Sequence, residues 1–255
     1  MPLRMLLLAL ALAVALPARA EKITIAAAAD LKFALDEIVA AFRRAHPAGA
    51  VDVVYGSSGK FHAQIPQGAP YDLYFSADIS YPRELARKGF SASEVRPYAV
   101  GRLVLWSAKM DARAMTLDSL TDPRIARIAI ANPKHAPYGK RAQEALRAAG
   151  LWEKVEPKLV YGENIAHAAQ FVQTGNAQVG IIALALALGS ELSGKGGYWL
   201  IPETLHAPLE QGYIITRRAA GSALARRFDS FMGSQPAREV MVKYGFVLPG
   251  ESAGK

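Results

Sequence analysis

The chain has 255 residues, 51% of them apolar, with 30 Lys and Arg against 22 Asp and Glu, a formal net charge of +8 and no cysteine. That length supports one large domain or two smaller ones. The lack of cysteine excludes disulfides, cysteine zinc sites and iron–sulfur clusters. The basic residues are scattered (Arg43-Arg44, Arg217-Arg218, Arg226-Arg227), which argues against a nucleic-acid partner, because phosphate-tracking surfaces cluster their charge.

At the N-terminus, Met1-Pro2-Leu3-Arg4 is a short positive region and residues 5–16 are an apolar run. Pro17-Ala18-Arg19-Ala20 ends in a small-x-small cleavage pattern. These features predict a secretory signal peptide over residues 1–20 and an exported mature chain from Glu21. The apolar run is shorter than the ~20 residues needed to span a bilayer. No cysteine follows to carry a lipid.

From residue 21 to about 99, strands over 23–27, 51–55 and 73–76 alternate with helices over 31–45, 58–65 and 81–88. His46-Pro47-Ala48-Gly49 and Gly68-Ala69-Pro70 are turns. The alternation predicts βαβ units and a mainly parallel sheet. After a strong strand over 101–107 the pattern repeats, with strands over 128–131, 159–161 and 180–182 and helices over 139–149 and 164–172. Strands over 198–202 and 211–216 and helices over 223–232 and 236–244 complete the chain. Two α/β units joined by two strand crossings, near 101–104 and 210–214, predict a hinged, two-lobed binding protein. Lobe I is expected to hold residues 21–101 plus 214–255, and lobe II residues 102–213.

Four strand-to-helix turns are rich in small residues. Residues 26–29 lead to Asp30, read as a helix cap before Leu31. Gly56-Ser57-Ser58-Gly59 opens the second helix. Asn132, Pro133, Pro137, Tyr138 and Gly139 open a third, and Gly162, Glu163 and Asn164 precede Ile165 at a fourth. Helix starts leave N–H groups unpaired at the positive end of the dipole, and ligands in α/β sheets bind outside the carboxyl ends of strands. The expectation is that four helix N-termini face one cleft and hold a small oxyanion. Two rival readings stand beside it. Ser57-Ser58-Gly59-Lys60 fits the S-x-x-K of exported serine acyl enzymes, although no S-D-N occurs and Lys195-Gly196-Gly197 lacks the hydroxyl of K-T-G. His62, His135 and His167 together with Asp30 would suit a metal ion.

Several stretches resemble the periplasmic molybdate-binding proteins of ABC importers. They are Ile23-Thr24-Ile25-Ala26-Ala27-Ala28-Ala29, Gly56-Ser57-Ser58-Gly59-Lys60, the run from Gln64 to Asp78, Asn132-Pro133-Lys134-His135-Ala136-Pro137-Tyr138-Gly139 and Lys243-Tyr244-Gly245-Phe246. The similarity spans essentially the whole mature chain. It implies a type II periplasmic binding fold, each lobe a mixed sheet flanked by helices, closing over molybdate or tungstate. It further implies a monomer without catalysis or cofactor that serves a membrane permease. Ser58 matches a serine ligand, next to Ser57, and Tyr138 and Ile165 match positions that offer main-chain N–H groups. Asp30 departs from the pattern, standing where relatives commonly have serine, or asparagine in one branch. Ala183 stands where some have a ligand tyrosine. Asp30 is expected to cap its helix and to be neutralised by Lys60. A different ligand, such as a metal ion, a protonated oxyanion or a cationic solute, is the alternative.

Overall fold

The computed structural model describes residues 21–251, so the signal peptide expected over residues 1–20 lies outside the described residues. In chain order the elements are β1 (Lys22–Ala28), α1 (Lys32–Ala45), β2 (Ala50–Gly56), α2 (Ser58–Gln64), β3 (Leu73–Ser76), α3 (Ser80–Arg87), β4 (Arg96–Gly101) and β5 (Leu103–Ser107). They continue as β6 (Ile128–Ala131), α4 (Pro137–Ala148), α5 (Trp152–Val155), β7 (Leu159–Gly162), α6 (Ile165–Gln173), β8 (Val179–Ala183), α7 (Leu184–Ala187) and β9 (Gly197–Leu200). β10 (Leu209–Ile215), α8 (Ala223–Met232) and α9 (Gln235–Lys243) follow.

The strands form two five-stranded sheets, ordered β2-β1-β3-β10-β4 and β7-β6-β8-β5-β9. In the first, β1 pairs in parallel with β2 and β3, while β10 runs antiparallel to β3 and β4. The second repeats the plan, with β5 as the reversed strand between β8 and β9. Each lobe is therefore a mixed sheet flanked by helices, as expected. In lobe I, β2 and β3 lie on opposite sides of β1, so a crevice opens at the carboxyl ends of β1 and β3. β6 and β8 make the equivalent crevice in lobe II.

The helices sit where apolar periodicity puts them. α1 buries Ala34, Leu35, Ile38, Val39 and Phe42, a single stripe at helical spacing, against lobe I. That core is aromatic. Phe75 stacks on Tyr213 at 4.4 Å between ring centres, and Phe42 meets Phe228 edge-on at 5.0 Å. α8 and α9 contribute Leu224, Phe228, Met232 and Met241, so the C-terminal helices belong to lobe I. Lobe II packs Trp106, Ile130, Leu146 and Ile181 around its own sheet. Tyr74 is fully buried, Tyr71 packs edge-on against Phe61, and the half-buried Tyr55 donates its hydroxyl to Asp36.

Three details differ from expectation. The run near 101–107 divides at Arg102 into the end of β4 and the start of β5, which is the first crossing. β4 itself contains Pro97, and it is tolerated because β4 is the edge of its sheet. The return crossing precedes Leu209 instead of lying at 210–214: β10 pairs with lobe I along its length, from Leu209↔Gly101 to Ile215↔Leu73. A lobe II boundary at residue 213 is therefore corrected to a point before Leu209. The residues of a strand encode its pleat and burial, not the sheet it joins.

Candidate functional site

Segments from both lobes line one small cavity. Lobe I supplies Ala28-Ala29-Asp30 after β1, Gly56-Ser57-Ser58 after β2 and Ala77 after β3. Lobe II supplies Ala136-Pro137-Tyr138 at the start of α4 and Asn164-Ile165 at the start of α6. All five residues singled out in the sequence, Asp30, Ser57, Ser58, Tyr138 and Ile165, are on this wall. Its volume is about 10 Å3, the scale of a single water molecule, so the lobes leave little space between these segments. A larger hollow of about 450 Å3 lies beside it, lined by Lys32, Phe33, Glu163 and His167 among others, but the strand ends do not converge there.

Each wall segment has a local reason for its place. Ser58 is the first residue of α2 and is 1% exposed. Its Oγ accepts from the Ala77 N–H at 3.0 Å, and its carbonyl accepts from the Tyr74 hydroxyl at 2.8 Å. With the acceptor side of Oγ engaged, the Ser58 hydroxyl proton is free to be donated to a guest. At α6 the Asn164 Oδ1 caps the His167 N–H at 2.9 Å, leaving the Ile165 N–H, in the first turn, without an intrahelical partner. The Tyr138 N–H is in the same situation at α4, behind Pro137. The Ile165 side chain is core packing.

Asp30 does not cap its helix. It lies in a short 3-10 turn, Ala29–Leu31, whose N-cap is Ala28, and no side-chain cap bond is made there. Its carboxylate is buried, and Oδ2 accepts from the Tyr138 hydroxyl at 3.0 Å and from Gln211 Nε2 at 2.8 Å. Gln211 Oε1 in turn accepts from the Tyr98 hydroxyl at 2.7 Å. Oδ1 accepts no hydrogen bond among the described residues. Burial lifts the Asp30 carboxyl from 3.8 to about 6, against the lowering effect of the Gln211 and Tyr138 bonds. Burial also pushes the Tyr138 and Tyr98 hydroxyls well above 10, so both act as neutral donors. Gln211 and Tyr98 were not anticipated. The available signal was a polar amide inside the buried β10 run, which needs a partner.

Lys60 does not neutralise Asp30. Its Nζ pairs across the cleft mouth with Glu163 Oε1 at 2.9 Å, about half exposed on each side. Among the described residues the serine and lysine of the S-x-x-K pattern are not bonded to each other: Ser57 Oγ donates to the His135 carbonyl at 2.6 Å. Gly59 N–H reaches the same carbonyl at 2.9 Å. A Cβ on Gly59 would stand 2.5 Å from that oxygen, so this approach of the lobes requires glycine. Together with Asp30–Tyr138, these contacts hold the lobes closed over the cavity. The three histidines lie apart: His62 beside Glu84, His135 on Ser57 and His167 accepting from the Glu163 N–H. Among the described residues no group of three or more His, Asp or Glu side chains is placed to hold a metal ion. Ala183 closes β8 and is not on the cavity wall.

The family described as bacterial extracellular solute-binding protein matches residues 23–247. The chain belongs to this solute-binding protein family. Over 241 residues this solute-binding protein is 38% identical to the molybdate-binding protein ModA of Rhodobacter capsulatus, covering 94% of each chain. Against ModA of Escherichia coli K12 the identity is 31%, covering 89% of each. The solved periplasmic molybdate-binding protein of Azotobacter vinelandii superposes with a TM-score of 0.84 at 32% identity, covering 89% of this chain and 99% of that one. These relatives are named as binding proteins. The fold, the two lobes and the interlobe cavity of this solute-binding protein agree with that membership.

Proposed function

We propose that the cleft captures molybdate or tungstate outside the cytoplasm, and that the closed protein, a monomer exported with residues 1–20 as its signal, delivers the ion to an ABC permease without catalysis. The observation that carries this reading is the meeting of helix starts from both lobes around one small cavity. There the Ser58 hydroxyl and the first-turn N–H groups of Tyr138 and Ile165 replace the donors of water. Uncharged donors suit a dianion that must be released again, because they hold it without an opposing full charge. Discrimination against sulfate, also a tetrahedral dianion, rests on cavity size. The closed arrangement is the form a permease would recognise. Among the described residues no helix is long and apolar enough to cross a membrane.

An ionised Asp30 opposes this function. A dianion ~4 Å from it would be repelled by about 8 kcal/mol at an effective dielectric of about 20. A bound oxyanion therefore requires Asp30 to be neutral or to share a proton. The test of the reading is a thermal-shift panel of molybdate, tungstate, sulfate, phosphate, chromate and divalent cations. A ligand at about 100 times its Kd stabilises the folded state by about 2.7 kcal/mol. Stabilisation by molybdate and tungstate is expected. A response to divalent cations alone would overturn the reading.

A further inference from the structure

Among the described residues, Asp30 is the one charged side chain on an otherwise neutral cavity wall. Its side chain is 1% exposed, Oδ2 is engaged by Tyr138 and Gln211, and Oδ1 accepts no hydrogen bond among the described residues. The groups acting on it are Gln211 on β10, Tyr138 on α4 and the N–H groups of its own turn, with the Tyr98 hydroxyl on β4 behind Gln211. The nearby cations are turned elsewhere, Lys32 to Asp36 and Lys60 to Glu163. At the start of α2, Ser57 and Ser58 are neutral, and His135 beyond Ser57 titrates below its ordinary value through burial and the charge of Lys60. An oxyanion in this cavity sets its own lone pairs against those of the carboxylate, a contact that holds only with a proton between the two oxygens.

We propose, on the oxyanion reading of the cleft, that the protein closes on its ligand with one proton held between Asp30 Oδ1 and a ligand oxygen. Molybdate and tungstate carry no proton in neutral water, so each ion captured takes one proton from solvent, and release of the ion returns it. It makes no difference to this balance whether the proton is assigned to the carboxyl or to the oxyanion. Burial favours the uptake, since it already lifts the Asp30 carboxyl to about 6. The device adds a selectivity rule: above neutral pH the site discriminates against its own dianion, while an oxyanion that brings a proton does not meet that penalty.

The experiment is calorimetric titration of the mature protein with molybdate at pH 6.5, 7.5 and 8.5, each in two buffers of different ionisation enthalpy. Affinity is expected to fall about tenfold per pH unit, and the buffer dependence of the heat to report uptake of about one proton per ion at pH 8.5. Asp30→Asn and Asp30→Ser should each bind without a pH slope or proton uptake. The buffer-dependent heat of the unsubstituted protein decides the matter without either variant. A flat affinity with no uptake overturns the proposal and leaves molybdate as the ligand, as does a slope that survives in both variants. Absence of molybdate and tungstate binding at every pH, in all three proteins, overturns the oxyanion reading and the proposal together.

Discussion

Replacing Asp30 by asparagine isolates the cost of a buried ionisable group. The asparagine oxygen can accept from Tyr138 and Gln211 as Oδ2 does, and the amide nitrogen takes the place of the unpartnered Oδ1 without any charge. The Asp30 carboxyl rises from 3.8 to about 6 on folding, a difference that corresponds to about 3 kcal/mol. The sign follows from the raised value. The folded state holds the proton longer than the unfolded chain, so the contribution is complete below about pH 4 and lost as pH passes about 6. Other carboxylates, such as Glu21 and Glu37, are lowered by their partners and act in the opposite sense, so the useful quantity is the difference between the two proteins. Urea unfolding at intervals from pH 4 to 8 is expected to show the variant gaining on the parent by about 3 kcal/mol as pH rises, most of it between pH 4 and 6. A difference that stays constant across that range would refute this, showing that Asp30 is hydrated and ionised in the folded protein.

Further outcomes can be checked on the same material. Ser58→Ala removes a cavity donor and the acceptor of the Ala77 N–H, so molybdate affinity should weaken with a loss of about 1–3 kcal/mol in stability and an unchanged circular dichroism spectrum; unaltered affinity would misplace the site. Gly59→Ala puts a methyl group against the His135 carbonyl and should weaken binding by about 1–3 kcal/mol by propping the lobes apart, a change small-angle scattering of the ligand-saturated protein would detect. Tyr138→Phe deletes a bond that lowers the Asp30 carboxyl, so the pH midpoint read from the Asp30→Asn comparison should move above about 6 in that background. Lys60→Ala removes only a half-exposed pair, and the loss in affinity should stay within about 1 kcal/mol and shrink in salt.

Much of this molecule can be read along the chain because it depends on neighbours in sequence. Alternation and helical spacing placed strands over 73–76 and 128–131 and the helix over 223–232 where they are observed, since pleat, apolar stripe and turn chemistry are local properties. The small-residue turns beginning at residues 26, 56, 132 and 162 marked strand ends before helices, and two α/β units follow from their repetition, whereas the antiparallel strands β10 and β5 that make both sheets mixed are placed by long-range pairing. β4 was obscured by Pro97, which weakens a strand reading but is accommodated at a sheet edge.

The positions of the site residues on one wall were legible; their partners were not. Asp30 had the composition of a cap, and only packing brought Tyr138 from 108 residues away and Gln211 from 181 residues away to its Oδ2. Lys60 stood near Asp30 in expectation, yet Glu163 on the opposite lobe reached it first. The sheet that β10 joins, and with it the second crossing, was settled by pairing with Gly101 and Leu73, far away in sequence. Sequence alone determined which backbone turns could offer donors to an anion, because dihedral and capping preferences act over a few residues. Tertiary structure alone decided that a buried carboxylate shares their cavity and is bonded across the lobes, because burial and long-range hydrogen bonds exist only once the chain has closed on itself.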